Sequence, residues 1–124
     1  MIQITYDQLN PESITESVRH DENGAVVTFL GTTRGTSQGA KVLYLEYEAY
    51  EPMAIKELER ITSAVSSKWN IKDIKIAHRL GRVNISDISL IVAVASPHRK
   101  EAFEACQFLI DEMKRKVPIW KHPQ

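Results

Sequence analysis

The chain has 124 residues, a length typical of one folded domain, and a hydrophobic fraction of 43% that can fill a core. Its 16 basic residues balance 16 acidic ones, and a net charge of zero argues against a surface that tracks nucleic-acid phosphates. The single cysteine, Cys106, excludes an internal disulfide, and the lack of a signal peptide or of an apolar run of about 20 residues predicts a cytoplasmic protein without a membrane span.

The first part of the chain alternates strand and helix patterns. Ile2 to Tyr6 alternates apolar and polar residues, which predicts a short strand. Asn10 followed by Pro11 predicts a helix start, because asparagine caps free backbone N–H groups and proline suits the first helical position. Gly24 to Thr33 is rich in β-branched and apolar residues, which favours a buried strand, and Gly35 to Gly39 reads as a flexible loop.

The middle of the chain predicts two further strands around a long helix. Val42 to Tyr50 alternates as a strand, and Pro52 to Trp69 carries apolar residues at helical spacing. Ile74 to Leu80 alternates again, and Asn84 to Asp87 predicts a turn. The apolar run from Ile88 to Ala95 then indicates a strand at the centre of a sheet.

The last part predicts a second long helix and an extended tail. Ser96 and Pro97 open this helix, which runs to about Arg115, and Pro118 biases the residues after it toward extended backbone. A helical projection predicts one core-facing stripe on it, made of Ala102, Phe103, Cys106, Leu109, Ile110, Met113 and Val117. We therefore predict one α+β domain over residues 1–124, with mixed or antiparallel strand pairing and two main helices.

The segment from Ser96 to Arg99 is the first candidate for a functional site. If Ser96 caps the helix, the backbone N–H groups of His98 and Arg99 point out of its positively polarised end, where an anion binds well. Basic side chains are unfavourable at that end unless an anion is expected. The alternative is an ordinary capped helix with two solvated basic residues.

Two lysines near the end of the chain form the second candidate. Lys114 falls at the edge of the core-facing stripe, where partial desolvation would lower its pKa and suit it to proton transfer or nucleophilic attack. Lys121 lies in a tail that can fold back beside the helix end. The alternative is that the stem of Lys114 packs on the core while its ammonium reaches water, and that Lys121 belongs to a solvated basic terminus.

A third candidate follows the buried strand, where Gly31 to Gly35 places Thr32, Thr33 and Arg34 between glycines. Such a loop can hold phosphate, although it lacks the spacing of a P-loop. All strong candidates are cationic and come from three segments, and we expect them to line one pocket for an anionic substrate. The four histidines lack metal-ligand spacing, so neither a metal site nor a cofactor is predicted.

Several other residues are assigned structural roles. Cys106 lies within the apolar stripe and reads as a core residue. Glu46 and Glu48 share a strand face and read as solvated carboxylates, while Tyr47 is expected to pack. His78, on a strand with no partner nearby in sequence, receives no function.

These residues together resemble the large subunit of the molybdopterin synthase family, from about Gly24 to Lys121. The most specific match is Ser96-Pro97-His98-Arg99, followed at a fixed distance by Val117-Pro118-Ile119-Trp120-Lys121. Further matching segments are Gly24 to Gly31 with Arg34, Leu45 to Tyr50 with Met53-Ala54, His78 to Gly81, and Asp111 to Lys114.

The resemblance implies an α/β hammerhead fold, a homodimer within a heterotetramer, and a ubiquitin-like small subunit as partner. The C-terminal thiocarboxylate of that partner supplies the sulfur that converts cyclic pyranopterin monophosphate into the dithiolene of molybdopterin. By resemblance, Lys114 and Lys121 are the catalytic candidates, and both also contact substrate. The remaining substrate-binding candidates are Thr32, Thr33, Arg34, His98, Arg99 and His122, with Arg34 able to serve the neighbouring subunit.

Two other functions fit the same residues. One is a non-enzymatic module that binds an anion or nucleotide as a small α+β dimer. The other is a scaffold that binds a ubiquitin-like partner but does not catalyse a reaction.

Overall fold

The chain forms nine strands and three helices, and the computed structural model describes it over residues 1–124. The helices are α1 (Pro11–Ser17), α2 (Glu51–Trp69) and α3 (Arg99–Lys116). The strands are β1 (Ile2–Thr5), β2 (Ala25–Thr32), β3 (Thr36–Ser37), β4 (Ala40–Lys41), β5 (Tyr44–Ala49), β6 (Asp73–Arg79), β7 (Gly81–Asn84), β8 (Ile88–Ser96) and β9 (Ile119–Pro123). The predicted α+β class with two long helices is confirmed.

A four-stranded sheet in the order β1-β6-β8-β2 forms the centre of the molecule. Only β1 and β6 pair in parallel, so the sheet is mixed, as predicted. Strand β8 lies between two neighbours, and both of its faces are covered because α2 and α3 pack on one side and α1 on the other. Alternate residues of β8 therefore enter separate cores, with Val92 on the α2–α3 side and Ile91 on the α1 side. This explains why its sequence is continuously apolar.

Helix α3 buries most of the predicted stripe but not its aromatic residue. Phe103 was predicted to face the core, but it is 61% exposed. The buried residues are Ala102, Ala105, Cys106, Leu109 and Met113. Two of them are alanines that are fully buried, which lets the helix backbone lie close to its neighbours. The projection is wrong at Phe103 because it took the large aromatic side chain as a mark of the inward face.

The start of α3 also differs from the prediction. Ser96 pairs with Ala25 in the sheet, and its hydroxyl donates to the carbonyl oxygen of His98 at 2.6 Å. Ser96 therefore belongs to β8 rather than to the helix cap. The helix begins at Arg99 with His98 as the N-cap residue, and no side chain caps it. By contrast, the predicted cap of α1 is confirmed, because Asn10 accepts from the backbone N–H groups of Glu12 and Ser13.

A second, three-stranded sheet in the order β7-β5-β9 carries the C-terminal tail. The extended tail was predicted, and it pairs antiparallel with β5, with Tyr47 opposite Lys121. Gly81, with φ of +80°, allows the chain to turn from β6 into β7, a strand that the sequence did not predict. This pairing fixes where the last residues of the chain lie relative to the end of α3.

The predicted loop at Gly35 to Gly39 contains a small hairpin. Strands β3 and β4 pair with each other, and Gln38 and Gly39 between them have φ values of +51° and +81°. Positive φ at both central residues is the geometry of tight hairpin turns. None of the three helices combines the length and the apolar content needed to cross a bilayer.

Candidate functional site: a lysine pocket and a helix-start hollow

A cavity of about 330 Å³ lies where the end of α3 meets β9 and the edge of the main core. We call it the lysine pocket. Its lining has an apolar part and a polar part, and it includes no carboxylate. The lining residues are Phe29, Gly31, Tyr47, His78, Ser89, Leu90, Met113, Lys114, Val117, Ile119 and Lys121. The structure thus brings the two predicted catalytic lysines together.

Two separate elements position these lysines. Lys114 lies in the last turn of α3, directly after the buried Met113, and Lys121 lies on β9. Because residues alternate along a strand, Ile119 and Lys121 face the pocket while Trp120 faces away. Both lysines are exposed in the single chain. The partial desolvation predicted for Lys114 is therefore not seen within the single chain.

Neither lysine of the pocket has an ion-pair partner within the chain. The next two residues of α3 differ in this respect, since Arg115 and Lys116 each contact a carboxylate oxygen of Glu112 at 2.9 Å. Arg34, His98 and Arg99 likewise make no ion pair. The charge of an unpaired ammonium group beside the apolar side chains of the pocket, which form its apolar wall, is available to an incoming anion.

The floor of the lysine pocket contains polar residues to which sequence reasoning gave no site role. The rings of Tyr47 and His78 meet edge to face, with centroids 5.0 Å apart. The hydroxyl of Ser89 donates to the carbonyl of Gly31 at 3.2 Å. Burial lowers the pKa of the His78 imidazole below its ordinary value. The sequence pattern could have revealed the position of His78. Ile74, Ile76 and His78 alternate along β6, and this alternation places His78 on the core-facing side of the strand.

A second concave surface lies at the other end of α3, and we call it the helix-start hollow. It has a volume of about 520 Å³ and is lined by Gly24, Pro97, His98, Arg99, Lys100 and Phe103. The first backbone N–H groups of α3 are not capped by a side chain, so they remain free for an anion. A Cβ on Gly24 would lie 2.6 Å from the carbonyl oxygen of Pro97, so glycine is required for this close approach.

The single pocket expected from the sequence is divided between these two places. With a rise of about 1.5 Å per residue, α3 separates the backbones of Arg99 and Lys114 by about 22 Å. Residues 98 and 114 of one chain therefore cannot contact the same small guest. The physical reason is that they lie at opposite ends of one straight helix, so that no folding of loops can bring them together.

The predicted segment of Thr32, Thr33 and Arg34 begins at the last residue of β2. It lines neither the lysine pocket nor the helix-start hollow. Thr33 is buried, and its backbone N–H and C=O bond to Asp87 and Ser86 in the turn between β7 and β8. Its hydroxyl has no hydrogen-bond partner. Thr32 and Arg34 are exposed. The segment is thus anchored at one threonine and presents the flanking side chains outward.

Two further predicted residues lie outside the lysine pocket. His122 is on the opposite face of β9 from Lys121, and its Nε2 lies 2.9 Å from a carboxylate oxygen of Glu48. Glu48 was predicted to be merely solvated and instead has this partner. Cys106 is buried, and burial raises the pKa of its thiol to about 11. Its assignment as a core residue is confirmed, and it supplies no reactive thiolate at neutral pH.

The comparisons with known proteins agree on one family. A family model described as MoaE protein matches residues 4–116. Molybdopterin synthase catalytic subunit 1 of Aedes aegypti is 45% identical over 124 residues, covering 99% of this chain and 80% of that protein. The molybdopterin synthase catalytic subunit of Bacillus subtilis is 43% identical over 119 residues, covering 96% of this chain and 76% of that protein.

A solved structure supports the same assignment. The crystal structure of molybdopterin synthase from Staphylococcus aureus superposes with a TM-score of 0.94 at 42% identity, covering 98% of this chain and 89% of that chain. The resemblance inferred from the sequence is confirmed, and the chain belongs to the MoaE protein family.

Proposed function

We propose that this chain is the catalytic subunit of a molybdopterin synthase, with residues 1–124 acting as one domain. It transfers sulfur from the C-terminal thiocarboxylate of a ubiquitin-like small subunit to cyclic pyranopterin monophosphate, forming the dithiolene of molybdopterin. The observation that carries this proposal is the lysine pocket, where two unpaired lysines face an apolar wall without any carboxylate. Relatives that are 45% and 43% identical bear the name of this activity.

The two lysines suit the chemistry of an anionic sulfur donor. The thiocarboxylate sulfur bonds to a carbon of the pterin and displaces an oxygen group from it, which joins the carrier to the pterin as a thioester. Water or the amine of Lys114 then adds to the thioester carbonyl carbon, and the C–S bond to the carrier breaks so that the sulfur stays on the pterin. Negative charge develops on the carbonyl oxygen during this addition. Ammonium groups fixed beside that oxygen stabilise the developing charge. We assign Lys114 to proton transfer or to covalent trapping of the acyl group, and Lys121 to support of the same anion. The pocket needs no built-in sulfur nucleophile because the partner delivers the sulfur.

The substrate phosphate is assigned to the helix-start hollow, where His98, Arg99 and the free N–H groups of α3 favour an anion. Within one chain the backbones of Arg99 and Lys114 are about 22 Å apart. We therefore propose a dimer in which two protomers together form each site. In such a dimer the exposed Thr32 and Arg34 serve the pocket of the neighbouring chain, and the buried Thr33 holds them in place. His122 would join the site only after releasing Glu48.

The proposed assembly is a homodimer of this chain with one small subunit bound to each protomer. A cytoplasmic location follows from the same function, because the substrate and the carrier protein would meet there. We assign it neither a nucleic-acid partner nor a membrane partner, and no metal or cofactor is required by the proposed chemistry.

The experiment that tests this function combines the purified chain with thiocarboxylated small subunit and cyclic pyranopterin monophosphate. Mass spectrometry is expected to find a product that has gained two sulfur atoms, in amounts that depend on the chain. A control with the carboxylate form of the small subunit is expected to give none. If the chain binds both components but never yields this product, it is an anion-binding dimer or a scaffold instead.

A further inference from the structure

His78 lines the lysine pocket together with the two lysines, but no role has been assigned to it so far. It lies on β6 at the end of the main core, opposite Leu90 of β8, and it is 7% exposed. Together with Tyr47 and Ser89 it supplies the uncharged polar side chains of the pocket lining. A polar side chain at such a depth is expected to have a defined hydrogen-bonding role.

The hydrogen bond at one ring nitrogen determines what the other can do. The Nδ1 atom of His78 lies 2.8 Å from the carbonyl oxygen of Arg79. A carbonyl oxygen only accepts hydrogen bonds, so Nδ1 carries the proton and Nε2 of the neutral ring keeps its lone pair. Nε2 has no partner within the chain, yet it is not among the fully enclosed polar atoms. It therefore retains access to the pocket.

The surroundings favour the neutral ring. Burial lowers the pKa of His78, and the cationic side chains of Lys114 and Lys121 share its pocket. The edge contact with Tyr47 fixes the plane of the imidazole. Lysine ammonium groups only donate hydrogen bonds, and the apolar side chains of the pocket neither donate nor accept them. Nε2 of His78 is therefore well placed to accept a hydrogen bond from a guest.

We propose that His78 is a positioning residue that accepts a hydrogen bond, through Nε2, from an N–H group of the guest in the lysine pocket. This rests on the proposed function, which offers two guests with such a group. One is a peptide N–H of the glycine tail of the small subunit, and the other is a ring N–H of the pterin. The lysines would hold the anionic end of the guest while His78 recognises a neutral donor.

Two substitutions of His78 separate this role from a merely structural one. His78→Phe keeps a ring but removes the acceptor, and it is expected to weaken binding of one guest roughly tenfold, the effect of one lost hydrogen bond. His78→Gln can place an amide oxygen near the position of Nε2 and is expected to restore most of that loss. His20→Gln is the matched control, since His20 is exposed and contacts Asp73 outside the pocket.

The pH dependence of binding gives a readout that packing alone would not move. A protonated His78 donates at Nε2 instead of accepting, so wild-type affinity is expected to fall as the pH drops through its pKa, which burial lowers below the ordinary value for histidine. The other ionisable side chains that line the pocket are Tyr47, Lys114 and Lys121. In His78→Gln the acidic fall is expected to disappear.

Calorimetric titrations with the carboxylate form of the small subunit and with cyclic pyranopterin monophosphate, from pH 5 to pH 8, identify which guest supplies the N–H. Equal affinities and identical pH profiles for wild type, His78→Gln and His78→Phe would overturn the proposal. If His78→Phe does not fold, the pH profile of His78→Gln still decides. Binding needs no turnover, so missing product would refute the proposed function without affecting this result.

Discussion

Replacing Lys114 by alanine is expected to lower kcat/KM for the two-sulfur product by at least about 100-fold, the usual effect of removing a group that stabilises transition-state charge. The change should leave the fold intact, because Lys114 is exposed and makes no ion pair. The measurement is the initial rate of product formation with saturating thiocarboxylated small subunit, followed by mass spectrometry.

The matched control for this substitution is Lys116→Ala. Lys116 lies in the same last turn of α3, but its ammonium contacts Glu112 at 2.9 Å and does not line the pocket. Exposed ion pairs contribute at most about 1 kcal/mol, so stability and turnover should both stay close to wild type. A Lys114→Ala enzyme that kept its activity within about threefold would remove this lysine from the chemistry.

Replacing Leu109 by alanine is expected to reduce the free energy of unfolding by about 3 kcal/mol, within the usual range for leucine truncation in a core. Leu109 is fully buried on the inner face of α3 and packs in the main core with residues such as Leu58 and Val92. Urea unfolding followed by circular dichroism measures the change as a shift of the midpoint.

Phe103→Ala is the control that tests the orientation of α3. Phe103 has the larger side chain, but it is 61% exposed, so its truncation should cost less than about 1 kcal/mol. The sequence projection placed both residues in the core-facing stripe, and it would therefore make both truncations costly. Finding that Phe103→Ala destabilises the protein as much as Leu109→Ala would therefore contradict the structure of the core.

The sequence predicted those features of the fold that local physics determines. The cap at Asn10, the central position of the run from Ile88 to Ala95, and the extended backbone after Pro118 all follow from residues close in the chain. What it could not predict depends on partners distant in sequence. Strand β7 is four residues long and exists because it pairs with β5, and Ser96 stays extended because it pairs with Ala25.

The sequence named the residues of the candidate site, but it predicted their arrangement only in part. The family resemblance and their positive charge identified Lys114 and Lys121 as candidates, and both line one pocket in the structure. His78 was overlooked because its partner Tyr47 is on another strand. The distance between His98 and Lys114 follows from the rise of a single helix. The shared positive charge predicted one pocket without indicating which subunit supplies each residue.

The central claim is that the helix-start hollow of one protomer and the lysine pocket of the other act on the same guest. It is tested by a heterodimer in which one chain carries Arg99→Ala and the other carries Lys114→Ala, purified through two different affinity tags. Each mutant homodimer should have both of its sites disabled and very low turnover. In the heterodimer one shared site loses both residues and the other keeps both.

We expect the purified heterodimer to recover about half of the wild-type rate of product formation, since a two-fold assembly contains two equivalent shared sites. If Arg99 and Lys114 instead acted within the same chain, each protomer would still lack one essential residue. The heterodimer would then remain as inactive as the two mutant homodimers, and the account of a site shared between protomers would be wrong.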